Sequence, residues 1–203
     1  MKIALIGATG SVGSRLLDEA LSRGHVVTAV SRHPEKIAPR EGVTAVSADI
    51  NDATGLASVL RGHDAVVSSV RFVNFEVATL LRALKAADID RLVMVGGAGS
   101  LTTASGGALA DAPTFPSAVL PEARAGAATL AALRQEAQVN WTFISPSAVF
   151  APGERTGKFR LGGDTLLLDH AGKSHVSQED YAIALLDELE TNAHPRQRIT
   201  VGY

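Results

Sequence analysis

The chain has 203 residues, of which 46% are hydrophobic and 20% are charged, and its formal net charge is -2. This composition is typical of a globular protein with one substantial core, and it gives no electrostatic reason to expect nucleic acid or an anionic membrane as a partner. The absence of cysteine excludes disulfides, thiolate metal ligands and cysteine nucleophiles, and it fits a cytoplasmic protein. The apolar stretch within residues 1–10 is too short for a signal sequence or a membrane span.

The first half of the sequence alternates between short apolar stretches and amphipathic stretches. We predict strands at 2–6, 25–30, 43–47, 64–68 and 91–95, and helices at 11–23, 52–60 and 74–87. In the first helix the apolar residues recur with helical spacing, and Gly24 can end it. This alternation is typical of a parallel sheet that is covered by helices on both faces.

Residues 96–116 are rich in Gly, Ala, Ser and Thr and have no apolar periodicity. A loop of this length predicts either a functional lid or a disordered segment. After it we predict a helix at 121–137, a sixth strand at 141–145, a helix at 178–190 and a final strand at 198–201. The order of elements predicts a single Rossmann-type α/β domain over residues 1–203, doubly wound around a mostly parallel sheet.

The C-terminal part, residues 146–203, is less regular and is predicted to form a small extension on the substrate side. Short strands are expected at 165–168 and 174–176, around a turn at residues 171–172. Ser177 followed by Asp180 is a capping-box pattern for the last helix, although Asp is a weaker partner there than Glu. The six histidines show no metal-ligand spacing, so no metal site is predicted.

A glycine-rich turn connects the first predicted strand to the first predicted helix. Gly7 permits the tight turn, Gly10 lets the backbone approach a pyrophosphate, and Gly13 lets the helix pack closely on the strand. The N–H groups at the start of the helix can then bind phosphate. The alternative is a tight connection without a ligand. The predicted dinucleotide-binding residues in this turn are Gly7, Thr9, Gly10, Ser11, Val12 and Gly13.

The end of the second strand bears on the choice between NADH and NADPH. Sites selective for NAD place an acidic residue there, which bonds the 2′-hydroxyl of the ribose. In this sequence the strand runs into Ser31 and Arg32, and no acid follows directly. A guanidinium and a hydroxyl suit a 2′-phosphate, so NADPH/NADP is the predicted cofactor and NADH the second choice. The alternative for Arg32 is a solvated surface side chain.

Further polar residues follow the third and fourth strands. Asp49 and Ile50 can contact the adenine with a carboxylate and an apolar side chain, although an ordinary loop explains Asp49 equally well. Ser68 and Ser69 end the fourth strand at the edge of the sheet where such folds bind ligands. Their hydroxyls can reach the ribose, or they simply end the strand.

Four segments together carry a family resemblance. They are GATGSVG at 7–13, VGGAGS at 95–100, WTFISPSAVFAPGERTG at 141–157 and SHVSQEDYAIALLDELE at 174–190. The chain resembles the atypical short-chain dehydrogenase/reductase superfamily, and most closely its NADH-flavin reductase, biliverdin-reductase-B-like and NmrA-like group. The resemblance implies that the strand-six end, Ser145, Pro146, Ser147 and Ala148, lies beside the nicotinamide. It also implies that residues 153–157 line the substrate side.

The chain departs from the superfamily where the catalytic residues are expected. The Tyr-x-x-x-Lys motif is absent, because neither Tyr181 nor Tyr203 is followed by a Lys. Gly96 and Gly97 stand where a catalytic Ser is expected, which leaves Ser100 as a displaced candidate. Ser147 stands where related flavin and biliverdin reductases carry a His, and it is the second catalytic candidate.

Without that proton donor, an acceptor that needs little enzymatic protonation is expected. The predicted activity is hydride transfer from NAD(P)H to a flavin, a quinone or a similar planar acceptor, by a monomer or homodimer. The first alternative is a non-catalytic redox sensor of the NmrA-like type, and a weaker one is a divergent epimerase or isomerase. Arg155 is equally well explained as an anion ligand or as a surface residue, and His175 is expected to be structural.

Overall fold

A central β-sheet flanked by five α-helices organises the molecule. The computed structural model describes all 203 residues. In chain order the strands are β1 (Lys2–Ile6), β2 (Val26–Ser31), β3 (Val43–Ser47), β4 (Ala65–Ser68), β5 (Arg91–Val95), β6 (Asn140–Pro146), β7 (Val149–Ala151), β8 (Arg160–Gly162), β9 (His175–Ser177) and β10 (Gln197–Gly202). The helices are α1 (Ser11–Ser22), α2 (Ala53–Leu60), α3 (Val77–Ala86), α4 (Leu120–Leu133) and α5 (Gln178–Thr191).

The main sheet has eight strands in the order β3-β2-β1-β4-β5-β6-β10-β8. All neighbours are parallel except β8, which runs antiparallel to β10. From β1 the chain adds β2 and then β3 on one side of β1. It then returns to the other side of β1 and forms β4, so the strand order reverses at the β1–β4 pair. This topology confirms the predicted doubly wound Rossmann-type fold.

Two apolar layers cover the two faces of the sheet. On one face, α2, α3 and α4 bury leucines that include Leu56, Leu84 and Leu133 against strand residues such as Phe143. On the other face, α1 and α5 pack on β1, β2 and β10, with Leu16 among the fully buried side chains. The helical spacing that predicted these elements is the spacing of the side chains that enter the core. No helix combines the length and apolar character that crossing a membrane requires.

The structure corrects several predicted element boundaries. The predicted strand at 165–168 is wrong, because only Thr165 forms a bridge, to Thr102, and the rest is irregular. The three-residue strands β7 and β8 were not predicted, whereas β9, which is equally short, was predicted at 174–176. Helix α4 ends at Leu133 rather than at residue 137, because the Glu136 carboxylate accepts the backbone N–H groups of Gln138 and Val139 and forms a turn.

The loop at 96–116 is ordered, and it lies along the carboxyl edge of β5. Leu101 is fully buried, and the backbone N–H of Thr102 donates to the Asp164 carbonyl at 2.8 Å. Within the loop, the N–H groups of Leu109 and Ala110 donate to the carbonyls of Leu101 and Gly99. The segment therefore has defined hydrogen bonds and one buried side chain over the sheet edge.

Helix α5 begins with half of the predicted capping box. The Ser177 hydroxyl accepts the N–H of Asp180 at 3.0 Å, but the Asp180 carboxylate does not return to Ser177. It accepts the N–H groups of Thr156 and Gly157, both at 2.8 Å, and the hydroxyls of Thr156 and Tyr203. The buried carboxylate thus fastens the segment after β7 to the start of α5.

Asp180 gives stability a pH dependence whose sign follows from its pKa. Burial raises this pKa, but hydrogen bonds from Thr156, Gly157 and Tyr203 outweigh that effect, and the net pKa lies below the ordinary value. The ionised group therefore stabilises the fold above the unfolded pKa of about 3.9, and this contribution is lost as the pH falls through the folded pKa. We expect Asp180→Asn to lose about 1–3 kcal/mol of unfolding free energy at neutral pH.

Thermal unfolding followed by circular dichroism between about pH 7 and about pH 3 tests this expectation. The wild type and Asp180→Asn should differ most at neutral pH and converge in acid. Glu154→Gln is the matched control, because Glu154 is exposed and its side chain forms no ion pair. A constant difference between wild type and Asp180→Asn across the whole range would contradict the assignment.

Candidate functional site

Two cavities open at the carboxyl edge of the sheet. The first, here called the polar cavity, has a volume of about 240 Å³ and lies around the glycine-rich turn between β1 and α1. The second, called the apolar cavity, has a volume of about 400 Å³ and lies at the ends of β5 and β6. The polar cavity occupies the point where the strand order reverses, which is where open α/β sheets bind their ligands.

Packing requires glycine at two of the three glycine positions of the turn. Gly7 has a φ of +88°, and a Cβ there would lie 2.5 Å from the carbonyl oxygen of Ser69. A Cβ on Gly13 would overlap the carbonyl oxygen of Gly7, so only glycine lets α1 pack this closely. Gly10 is exposed in ordinary extended backbone, with φ −73° and ψ 165°, and keeps the entrance to the helix open.

The start of α1 provides free hydrogen-bond donors. The N–H groups of Ser11, Val12 and Gly13 have no acceptor within the protein. No side chain caps the helix and no acidic residue lies in its first turn, so its partial positive charge is not neutralised. Three free N–H groups beside a turn without side-chain bulk fit a diphosphate. The Ser11 hydroxyl itself is used elsewhere, since it donates to Gln178 at 2.7 Å.

The end of β2 places Ser31 and Arg32 in the wall of the polar cavity. The Ser31 hydroxyl accepts the N–H of His33 at 3.1 Å and lies 3.3 Å from the hydroxyl of Thr9. Arg32 is exposed and makes no hydrogen bond or ion pair within the protein. This wall therefore offers an uncommitted guanidinium beside a hydroxyl, and the nearest acid in sequence, Glu35, is 3.2 Å from His33.

The predicted adenine and ribose positions also meet at the polar cavity. Asp49, Ile50 and Ser69 line it, and the Asp49 carboxylate accepts the N–H of Asn51 at 2.9 Å. Ser68 differs from Ser69, because it is 1% exposed and its hydroxyl is buried without a partner. The structure thus brings Asp49, Ile50 and Ser69 together with the glycine turn and places the Ser68 side chain inside the sheet.

Apolar and aromatic side chains surround the second cavity. They are Phe72, Leu109, Phe115, Pro116, Val119 and Phe150. Its floor is formed by Gly96 and Gly97 at the end of β5 and by residues 146–148 at the end of β6. A Cβ on Gly96 would lie 2.5 Å from the Phe143 ring, so the glycine found in place of the expected Ser is required by packing.

Glu122, in the first turn of α4, is the only ionisable residue that lines the apolar cavity. One of its carboxylate oxygens accepts the N–H of Phe72 at 2.7 Å, and the other accepts the N–H of Val73 at 3.3 Å. The Arg71 Nε lies 3.6 Å from the second oxygen. The carboxylate therefore holds α4 against the segment that separates the two cavities.

The candidate catalytic serines, Ser100 and Ser147, and Ser145, predicted to bind the cofactor, do not form a cluster in the apolar cavity. Ser147 is 1% exposed, and its hydroxyl donates to the Val201 carbonyl at 3.0 Å. Ser145 is fully buried and donates to the Gly97 carbonyl at 2.9 Å. The Ser100 hydroxyl lies 3.4 Å from the Arg198 guanidinium. Each hydroxyl is engaged with protein groups, although Ser147 lines the cavity together with Pro146.

Neither tyrosine supplies a proton donor to the apolar cavity. The Tyr181 hydroxyl donates to the Ile144 carbonyl at 2.6 Å, and its complete burial raises the pKa of the phenol. The Tyr203 hydroxyl donates to the Asp180 carboxylate at 2.7 Å. The structure agrees with the missing Tyr-x-x-x-Lys motif, since no tyrosine or lysine lines this cavity.

Residues 153–157, which the resemblance implies on the substrate side, line neither the polar nor the apolar cavity. Residues 153, 154 and 156 border a separate concavity between β7 and β9. Arg155 forms an ion pair with Glu19 on α1, with an N–O distance of 3.0 Å, and its side chain is largely exposed. His175 packs edge-on against Tyr203 at 4.9 Å, as expected for a structural histidine.

Several residues that line the two cavities were not predicted from the sequence. Arg71 and Asn74 line the polar cavity, and Phe72, Phe115 and Glu122 line the apolar cavity. Arg71, Phe72 and Asn74 could have been predicted from their position shortly after β4, because ligands bind beyond the carboxyl ends of the parallel strands. No local pattern indicates Phe115 or Glu122.

The profile of a family of NAD(P)H-binding proteins matches residues 7–192. This match spans the glycine-rich turn, both cavities and helix α5, so the chain belongs to the NAD(P)H-binding family. The match confirms the NAD(P)H-binding part of the resemblance found in the sequence. YwnB of Bacillus subtilis, whose function is uncharacterised, is 40% identical, over 99% of this chain and 98% of its own length.

Solved structures of full-length relatives show the same fold. A candidate epimerase from Bacteroides thetaiotaomicron is 43% identical with a TM-score of 0.94, covering 100% of this chain and 96% of the other. A candidate exported protein from Burkholderia pseudomallei is 42% identical with a TM-score of 0.89, covering 100% of both chains. A candidate NADH-flavin reductase from Streptococcus pneumoniae is 33% identical with a TM-score of 0.83, covering 100% and 99%.

Proposed function

We propose that this protein is an NADPH-dependent oxidoreductase that reduces a planar acceptor in the apolar cavity. The observation that carries the proposal is the adjacency of the two cavities. Arg71 lines the polar cavity and the next residue, Phe72, lines the apolar one. A dinucleotide that extends from the glycine turn along the sheet edge therefore has a polar site for its adenosine half and an apolar site beyond it.

The residues in and beside the two cavities have separate proposed roles toward the cofactor. The N–H groups of residues 11–13 hold the diphosphate, while Ser31 and Arg32 hold the 2′-phosphate. Asp49 and Ile50 contact the adenine, and Ser69 contacts the ribose. Ser145 and Pro146 are proposed to lie beside the nicotinamide. Ser145 acts there indirectly, because its hydroxyl holds the Gly97 carbonyl in place.

The apolar cavity contributes positioning and the exclusion of water. When bound, the reduced dinucleotide supplies a hydride to the acceptor, leaving NADP⁺, and the acceptor takes one further proton from water. The phenylalanines, Leu109 and Val119 can hold a flat ring by burying its faces. Holding two rings together is itself a source of rate acceleration, and this chemistry does not require the tyrosine acid that the cavity lacks.

Stopped-flow mixing of the protein with NADPH and a panel of flavins and quinones tests the proposal. We expect NADPH absorbance to decay at a rate that depends on the acceptor concentration. Calorimetric titration with NADPH and NADH, without acceptor, measures cofactor binding separately. If the protein binds NADPH but no acceptor in a broad panel oxidises it, the proposed reductase activity is contradicted. The protein would then be one that binds the cofactor without catalysis.

The buried serine at the end of β6 provides a further prediction. We expect Ser147→Ala to retain turnover within about threefold of wild type, because its hydroxyl donates to the Val201 carbonyl and is not free to bond a bound acceptor. Steady-state kcat and KM with NADPH and the best acceptor measure the effect. A loss of about 100-fold or more in kcat, with unchanged unfolding temperature, would restore Ser147 as a catalytic residue.

The absence of a proton donor also favours a second candidate, a redox sensor that binds NADP(H) and a partner protein. Affinity capture with and without NADP⁺ or NADPH distinguishes it, because a sensor binds its partner only in one cofactor state. Epimerisation, suggested by the description of the Bacteroides relative, lacks an acid–base pair here, since Glu122 is the single ionisable group of the cavity. We also propose a cytoplasmic location, which fractionation of the source cells can test.

A further inference from the structure

We propose that the apolar cavity selects an uncharged planar acceptor, and that Glu122 is the residue that disfavours acceptors carrying a phosphate. This inference rests on the proposed function, because it narrows the class of acceptor at the same site. The substrate class consists of flat rings without an ionised substituent. Quinones and unphosphorylated flavins share this chemistry.

The walls of the apolar cavity contain no cationic side chain. Lysine, arginine and histidine are all absent from its lining, which consists of apolar, small and hydroxyl-bearing residues and Glu122. A phosphate needs such a cation or a set of free N–H groups to offset the loss of its water. Apolar walls instead favour a flat uncharged ring, because its burial removes apolar surface from water.

Helix α4 begins beside this cavity, but its start is not an anion site. Pro121 has no N–H to donate, and Glu122 places a carboxylate in the first turn. That carboxylate neutralises the partial positive charge of the helix end. Helix α1 is the opposite case, since its first turn contains no acid. The chain therefore favours phosphate at the start of α1 and disfavours it at the start of α4.

The Glu122 carboxylate is fixed at the cavity wall by two backbone N–H groups. Its nearest cation is Arg71, whose side chain is 68% exposed and whose Nε lies 3.6 Å away. Arg71 also lines the polar cavity, where it is available to the phosphates of the dinucleotide. An anionic acceptor beside Glu122 thus meets negative charge, while an uncharged ring does not.

Riboflavin and FMN test this inference, because they share one isoalloxazine ring and differ by a phosphate. Equilibrium dialysis of the NADP⁺-loaded wild-type protein measures their dissociation constants, and NADPH oxidation measures kcat/KM. At low ionic strength we expect riboflavin to bind about fivefold more tightly than FMN, as repulsion at close range implies. The difference should shrink in about 0.5 M salt, which screens charges. Menadione, an uncharged quinone, should also be reduced.

Glu122→Gln removes the charge and keeps the shape of the side chain. We expect the riboflavin-to-FMN preference to fall toward equality in this variant. Glu76→Gln is the matched control, since Glu76 is exposed and lines neither cavity, and it should keep the wild-type preference. Unfolding temperatures report whether each variant is folded. If Glu122→Gln does not fold, the salt dependence of the wild-type preference for riboflavin over FMN tests whether charge causes that preference.

Equal or tighter binding of FMN by the wild type overturns the inference, and so does a preference that salt and Glu122→Gln leave unchanged. Failure to bind riboflavin, FMN and menadione also overturns it. The proposed function fails in a different way. A protein that prefers riboflavin but oxidises no NADPH contradicts the reductase alone, whereas NADPH oxidation with a preference for FMN contradicts the selectivity alone.

Discussion

Gly10→Asp should abolish dinucleotide binding without weakening the fold. Gly10 lies in ordinary extended backbone, and a Cβ there would be 3.3 Å from the nearest heavy atom, the Gly7 carbonyl oxygen. Aspartate is among the best residues at the start of a helix, so we expect the unfolding temperature to change by less than about 4 °C. Its carboxylate would face the diphosphate at close range. We therefore expect the Kd for NADPH to rise at least about 100-fold.

Titration calorimetry for binding and circular dichroism for unfolding check both halves of this prediction. Gly163→Asp is the control, because a side chain there meets nothing within 4 Å and the position lies outside both cavities. Gly13→Ala gives the contrasting case, in which the fold itself should be destabilised by overlap with the Gly7 carbonyl. A Gly10→Asp variant that binds NADPH as tightly as wild type would refute the phosphate site.

Arg32→Glu should reverse the preference between the two nicotinamide cofactors. The guanidinium is exposed and has no partner in the protein, so its removal leaves no buried charge behind. Charge-assisted hydrogen bonds to a 2′-phosphate contribute about 1.5–3 kcal/mol, which predicts a 10- to 100-fold weaker Kd for NADPH. A glutamate in its place can accept a hydrogen bond from the 2′-hydroxyl of NADH. The Kd for NADH should therefore stay the same or improve.

Calorimetric titration of Arg32→Glu and of a control variant, Arg61→Glu, with NADPH and NADH measures this reversal. Arg61→Glu makes the same charge change at the end of α2, at the opposite edge of the sheet, and should leave both constants within about twofold of wild type. If Arg32→Glu lowers the affinities for NADPH and NADH equally, Arg32 supports the site in general and does not select the 2′-phosphate.

Together the two variants separate the parts of the proposed cofactor site. Gly10→Asp acts on the diphosphate, which NADH and NADPH share, and should weaken the binding of both. Arg32→Glu acts on the one group that differs between them. The riboflavin and FMN comparison then examines the apolar cavity, where neither substitution lies. Each of the three predictions can therefore be contradicted while the other two remain open.

The sequence by itself determined the fold class and the polar cavity. Gly7, Gly10 and Gly13 lie within seven consecutive residues, and their roles follow from a local connection between a strand and a helix. Arg32 and Asp49 could be placed beside them because parallel strands bring their carboxyl ends to one edge. Local conformation and strand direction are sufficient for this part of the site.

The tertiary structure alone decided the apolar cavity and the state of the candidate catalytic residues. Phe72, Glu122 and Phe150 come from a turn after β4, from α4 and from β7, and meet only because three separate connections pack at one place. The sequence allowed Ser147 an active role, but its hydroxyl turned out to bond a carbonyl on β10. Backbone direction can be predicted from local pattern, whereas side-chain partners depend on long-range packing.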